Sequence, residues 1–164
     1  ANFKGEQAAK PSPKPAQDPL LTQATWELLW LILHHPEYGD QLSEIIDYEW
    51  ININSTTGKL LSRLLAELRE GMIDSVEQIE NIIDSVEERQ LLADIHSREL
   101  SVEEPTKQIV FCLERLRRKF VEAQIKNLEQ KIINSDPDTQ IRLMRERKEI
   151  LSKVSHPLEL ELQR

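Results

Sequence analysis

The chain has 164 residues, of which 39% are apolar and 30% are charged, and its net charge is −8. This length fits one domain, and the acidic excess argues against a protein whose main task is to bind the nucleic-acid backbone. No run approaches the ~20 apolar residues of a membrane span, and the single Cys112 cannot form an internal disulfide, so we expect a cytoplasmic protein that binds no membrane.

The first seventeen residues are polar and carry Pro11, Pro13 and Pro15. They hold too few apolar side chains to pack, which predicts a flexible, proline-rich linker over residues 1–17. Because the chain begins with a linker, we expect it to belong to a longer protein whose missing portion lies on the N-terminal side.

Residues 18–120 predict an all-α, compact subdomain of about six helices, because Leu, Ile, Glu, Gln and Arg dominate without sustained alternation. Asp18 and Pro19 begin the first helix as N-cap and first helical residue, and Pro36 ends it at His35. This helix is apolar nearly all round, so it should lie at the centre. Further helices are expected at about 38–46, over the leucine-rich segment Leu60–Leu68 that Gly71 closes, and at about 76–83 and 86–97.

A short sequence echo lies between the third helix and the long one. Ile73–Glu77 recurs as Ile83–Glu87, and each copy contains a serine followed three residues later by Gln78 or Glu88. This spacing is that of a capping box, in which the serine and the Glu or Gln side chain bind free amides at a helix start. We interpret the echo as two successive helix starts and not as a repeat architecture.

The last third of the chain predicts two long helices, Glu104–Asn134 and Pro137–Ser155, joined by the turn Ser135–Asp138. The apolar stripe of the first arm shifts by one residue after Phe120. A shifted stripe predicts two packing partners, the globule for the first half and the returning helix for the second half. We therefore divide the chain into a helical globule over 18–120 and a C-terminal two-helix hairpin with its tail over 121–164.

No catalytic constellation is apparent. Four scattered glycines cannot form a phosphate-binding loop, and the adjacent His34 and His35 point about 100° apart on a helix, which prevents them from converging on one metal. Cys112 lies in an apolar run and is interpreted as a small buried hydrophobe. We expect no enzymatic activity from this fragment, no metal and no cofactor.

Two basic clusters, Arg115–Lys119 and Arg142–Lys148, stand out against the acidic average. Glutamates are interleaved with both, at the spacing that forms ion pairs along a helix. Aromatic residues that could stack on bases are nearly absent from these arms. We therefore expect a solvated charge set and no strong nucleic-acid binding, and a partner-facing role stays open for some of these arginines.

Three parts of the chain resemble the C-terminal helicase-interaction domain of bacterial DNA primase. They are Leu28–Glu37, whose leucine run ends in His-Pro-Glu, the leucine-rich Leu60–Leu68, and the hairpin segments Leu128–Ile132, Ser135–Asp138 and Arg145–Leu151. The resemblance covers about Pro19–Leu162. It implies a six-helix subdomain and a hairpin that binds the N-terminal domain of the hexameric replicative helicase, recruits primase to the replication fork and modulates the helicase. It also implies that the zinc-binding and RNA-polymerising domains of a full-length transferase precede this chain.

The resemblance places the helicase contact on the hairpin and tail. We expect one set of apolar residues to hold the two arms together, namely Ile125, Leu128, Ile132, Met144, Leu151 and Val154. The residues expected to contact the helicase are Ile133, Leu143, Ile150, Leu158, Leu160 and Leu162. An exposed apolar strip of this kind usually marks an interaction surface.

Two other interpretations stay open. The chain could be the N-terminal domain of the replicative helicase itself, but there a linker should follow the hairpin, whereas here the linker precedes the globule. It could also be a free-standing helical adaptor that self-associates. The primase interpretation predicts a monomeric fragment with a different protein as its partner, and the adaptor predicts a dimer.

Overall fold

A computed structural model describes residues 18–158, and these residues form an all-α fold with no strand among them. The α-helices in chain order are α1 (Pro19–His34), α2 (Gly39–Ile45), α3 (Thr56–Arg69), α4 (Val86–Ser97), α5 (Pro105–Ile133) and α6 (Pro137–Val154). Three 3₁₀ turns separate them, at Pro36–Tyr38, Tyr48–Trp50 and Val76–Asn81. The predicted all-α class is confirmed. The predicted linker over residues 1–17 lies outside the described residues.

Helix α1 is the centre of the globule, as its sequence predicts. The amide of Leu20 donates to Asp18 Oδ1 at 2.9 Å, and Pro19 occupies the first turn. The helix ends at His34. The next residue, His35, cannot readily adopt helical geometry because it precedes Pro36. Its fully buried side chains are Leu28, Leu29, Leu31 and Ile32, and the helix packs against α3 and α5.

Helix α3 packs its leucines against α1. Residues close to each end of α3 determine where the helix begins and ends. The amide of Gly58 donates to Ser55 Oγ at 3.0 Å, so Gly58 lies in the first helical turn and not in the preceding loop. A Cβ at this position would lie 1.9 Å from the Asn52 carbonyl oxygen, which explains the glycine. At the other end Gly71 has φ +75°, the left-handed geometry that closes a helix.

Of the two predicted capping boxes, the second forms, and in the first the serine binds the amide of Glu77 and not that of Gln78. The amide of Glu88 donates to Ser85 Oγ at 3.1 Å, and the Glu88 carboxylate accepts from the amide of Asp84. In the first copy Ser75 Oγ accepts from a backbone amide, but the segment that follows is a 3₁₀ turn and not the α-helix expected at 76–83. The helix expected at about 38–46 is observed as α2, and only its first residue, Tyr38, belongs to the preceding 3₁₀ turn.

Helix α5 runs without interruption for 29 residues and changes packing partner along its length. Its first half supplies four fully buried residues to the globule core, namely Ile109, Cys112, Leu113 and Leu116. Val121 and Leu128 are buried outside that core, where α5 packs against α6. The two packing partners predicted from the shifted stripe are therefore observed. Glu104 is the N-cap of α5, and its side chain forms no capping hydrogen bond.

Candidate interaction surface on the hairpin

The antiparallel arms of the hairpin, α5 and α6, meet along one stripe of α6. Leu143 is buried in this seam, and Ile150 and Val154 are partly buried on the same stripe. Polar contacts flank the apolar ones. Gln140 Nε2 donates to the Ile132 carbonyl at 2.8 Å, and Arg147 Nη2 donates to Glu129 Oε1 at 3.2 Å, an ion pair that crosses the arms.

The predicted division of α6 into seam and partner face is wrong at four positions, one of which is Ile150, expected to face a partner but partly buried on the Leu143 stripe. Met144 and Leu151, expected in the seam, are 58% and 42% exposed, whereas Leu143, expected to face a partner, is only 7% exposed. Two apolar stripes of equal spacing run along α6, and they are offset by one residue, which is about 100° of rotation. Gln140 and Arg147 lie on the Leu143 stripe, and their contacts with α5 turn that stripe inward.

The base of the hairpin is fastened to the globule. Arg117 Nη2 donates to the carbonyl oxygens of Val154, at 3.5 Å, and His156, at 3.0 Å, and so binds the free carbonyls at the end of α6. Leu158 packs partly buried against the globule core. The prediction that Leu158 faces a partner is therefore wrong for this arrangement, because the globule covers it. Leu160 and Leu162 lie outside the described residues.

Four large apolar side chains remain exposed on the hairpin, and we call them the outer apolar strip. They are Ile133 (75% exposed), Ile141 (53%), Met144 and Leu151. Of these, only Ile133 was expected to face a partner. The other three were missed because α6 has two equivalent apolar stripes, and the partners that select between them lie on α5.

The two flanks of the hairpin differ in chemistry. On one flank a groove of about 320 Å³ runs between the arms, lined by Arg118, Val121, Glu122, Ile125, Lys126, Glu129, Leu151 and Val154. Ile133 follows Glu129 by four residues, so it continues this flank towards the turn. The opposite groove is lined mainly by polar residues, among them Gln130, Asn134 and Arg142. An apolar partner surface therefore fits one flank of the hairpin better than the other.

Charge is divided unevenly along the chain. Residues 18–104 carry nineteen acidic and five basic side chains, whereas residues 105–158 carry seven acidic and twelve basic ones. Several of these cations have local partners: Lys119 pairs with Asp18 at 2.9 Å, and Arg115 lies over the Phe111 ring. Arg145 and Lys148 are exposed and form no ion pair within residues 18–158.

Cys112 and His34, two residues whose side chains could carry chemistry, both have local structural contacts. Cys112 is fully buried, and burial, reinforced by the nearby Glu27 carboxylate, raises the pKa of its thiol to about 12. His34 stacks on Trp30, and its Nδ1 lies 2.9 Å from the Trp30 carbonyl oxygen. Across the described part of the chain, no cluster of three or more His, Cys, Asp or Glu side chains is arranged to hold a metal ion.

No family model, no curated protein and no solved structure matches this chain. Among residues 18–158, no helix has both the length and the apolar character needed to cross a bilayer.

Proposed function

We propose that this chain is a non-catalytic interaction domain that binds the N-terminal domain of a replicative helicase through its hairpin, as the resemblance to bacterial DNA primase implies. In that role it recruits primase to the replication fork. No bond is made or broken by this fragment.

The observation that carries the proposal is the outer apolar strip. Four large apolar side chains exposed on one hairpin cost free energy in water, since each fully buried side chain of this size gains roughly 1.5–3 kcal/mol. The globule does not cover them, although it covers Leu158 at the base of the same hairpin. A helical face of this kind is a common docking element between proteins.

The test is a titration of the chain against the purified N-terminal domain of the replicative helicase from the same organism. We expect saturable binding that weakens at least tenfold, about 1.4 kcal/mol, in the variant with Met144→Ser and Leu151→Ser. Both side chains are exposed, so the fold should survive, and the helical circular dichroism spectrum checks this.

A matched control replaces Met72 and Val86 with serine, two exposed apolar residues of the globule. This control should leave the affinity within about threefold of the original. Absence of binding by the folded chain would overturn the helicase proposal. Sedimentation of the chain alone supplies a second check, since a stable dimer that the Met144→Ser and Leu151→Ser changes disrupt would assign the strip to self-association.

A further inference from the structure

The side of α6 that runs outward from Leu151, at the edge of the groove between the arms, combines apolar and basic residues on one arc. Five exposed residues of this arc, which we call the outer face of α6, are Ile141, Met144, Arg145, Lys148 and Leu151. At about 100° per residue they fall within an arc of roughly 120°. The acidic residues of α6, Asp138, Glu146 and Glu149, lie outside this arc. The exposed face is therefore apolar and cationic, with no anion of its own helix within it.

We propose that the surface that docks on the outer face of α6 is acidic: an amphipathic partner helix that covers the apolar residues and places carboxylates beside Arg145 and Lys148. This inference rests on the proposed function and names the chemistry of the surface that the hairpin binds. Opposite charges across an interface accelerate association and select the partner, more than they add to affinity.

Charge complementarity favours this occupant because the cations of the face are uncommitted. Arg147, on the seam stripe, is paired with Glu129 at 3.2 Å. Arg145 and Lys148 have no such partner among the described residues, and their side chains are exposed. Carboxylates of a docking helix would supply the missing counter-charges.

Two other occupants fit the face less well. A second copy of the chain, paired through the same face about a two-fold axis, would bring two copies of Arg145 and Lys148 together, and like charges at an interface are unfavourable. A nucleic-acid strand would find apolar side chains between the cations and no aromatic residue on which to stack a base.

The experiment reverses charge on two sides of the same helix. One variant carries Arg145→Glu and Lys148→Glu on the outer face, and the matched control carries Arg142→Glu and Lys153→Glu on the opposite side. Both variants change the net charge equally, and all four positions are exposed. Circular dichroism and thermal unfolding establish that each variant is folded before the helicase N-terminal domain is titrated at about 50 mM and about 500 mM salt.

We expect the outer-face variant to bind at least tenfold more weakly at low salt and the control less than threefold, with the difference shrinking at high salt. Equal effects of the two variants, or no effect of either, would overturn the acidic-partner inference while leaving the proposed helicase binding intact. No binding by the unaltered chain would instead overturn the proposed function. A fluorescent single-stranded oligonucleotide is titrated in parallel, and loss of oligonucleotide binding alone in the outer-face variant would assign the face to nucleic acid.

Discussion

Arg63 of α3 and Glu88 of α4 form a two-point ion pair, with Nη1 to Oε1 at 2.8 Å and Nη2 to Oε2 at 3.0 Å. The Glu88 side chain is 3% exposed and that of Arg63 29%. Arg63 also donates to the Ile82 carbonyl at 2.9 Å, and Asp84 lies 3.4 Å from its guanidinium. One side chain thus joins α3 to the loop and the first turn of α4.

Replacing Arg63 with alanine should destabilise the globule by about 3 kcal/mol, because Glu88 would stay buried without its counter-charge. This loss is at the low end of the range for removing one partner of a buried ion pair, because the Arg63 side chain is partly exposed to water. The measurement is the free energy of unfolding from urea denaturation. Arg89→Ala, at an exposed neighbouring position, is the control and should change it by less than ~0.5 kcal/mol. Equal losses in the two variants would contradict the importance of the pair.

The same pair predicts how stability depends on pH. Burial alone would raise the pKa of Glu88, but its hydrogen bonds from Arg63 and the Asp84 amide lower it below the ordinary value. A lowered pKa in the folded state contributes stability above the unfolded value, roughly 4.3 for glutamate, and that contribution is lost as pH falls through the folded pKa. The free energy of unfolding should therefore decline as the pH drops below about 4.

The variant Glu88→Gln isolates this contribution, because the amide does not titrate. Urea denaturation at pH 7, 5, 4 and 3 should give a shallower decline for the variant than for the original chain. Some decline should remain, since the hydrogen bond from Lys119 lowers the pKa of Asp18 as well. Parallel curves for the two proteins would show that Glu88 does not carry the effect.

The seam of the hairpin predicts opposite outcomes for two adjacent residues. Leu143→Ala should cost about 2–3 kcal/mol, because it empties a buried site between the arms. Met144→Ala should cost less than about 0.5 kcal/mol, because that side chain is exposed. Hydrogen exchange of the α6 amides measures the local stability directly. A larger loss at Met144 than at Leu143 would reverse the assignment of the two stripes.

The thiol of Cys112 should be inert in the folded protein. With a pKa of about 12, only on the order of one thiol in ten thousand is ionised at pH 8, and the sulfur is fully buried. Mass spectrometry after treatment with iodoacetamide at pH 8 should find no labelled native chain, but complete labelling in urea. Labelling of the native chain as fast as of a free thiol would contradict the burial.

Signals within a few residues of one another predicted most helix boundaries. Asp18 and Pro19 start α1, Ser85 starts α4 and Gly71 closes α3, because each acts on backbone groups of its own turn. The 3₁₀ geometry at Val76–Asn81 was not predicted, since a capping serine marks a helix start and does not determine the hydrogen-bond pattern that follows.

The candidate surface was predicted only in part, for a different reason. Periodicity identifies Leu143 and Met144 as members of two apolar stripes but does not indicate which of the two stripes packs against α5. The choice depends on contacts distant in sequence, such as that of Arg147 with Glu129. Assigning Leu158 to the globule likewise required knowing where the end of α6 lies relative to the core.

The continuity of α5 has a mechanical consequence. Leu116 is fixed in the core and Ile133 lies at the turn of the hairpin, seventeen residues or roughly 25 Å further along the same helix. Because α5 is uninterrupted over this distance, a tilt of about 10° at Leu116 would displace Ile133 by roughly 4 Å. A force on the turn of the hairpin is therefore transmitted through α5 to α1, the central helix of the globule, against which α5 packs.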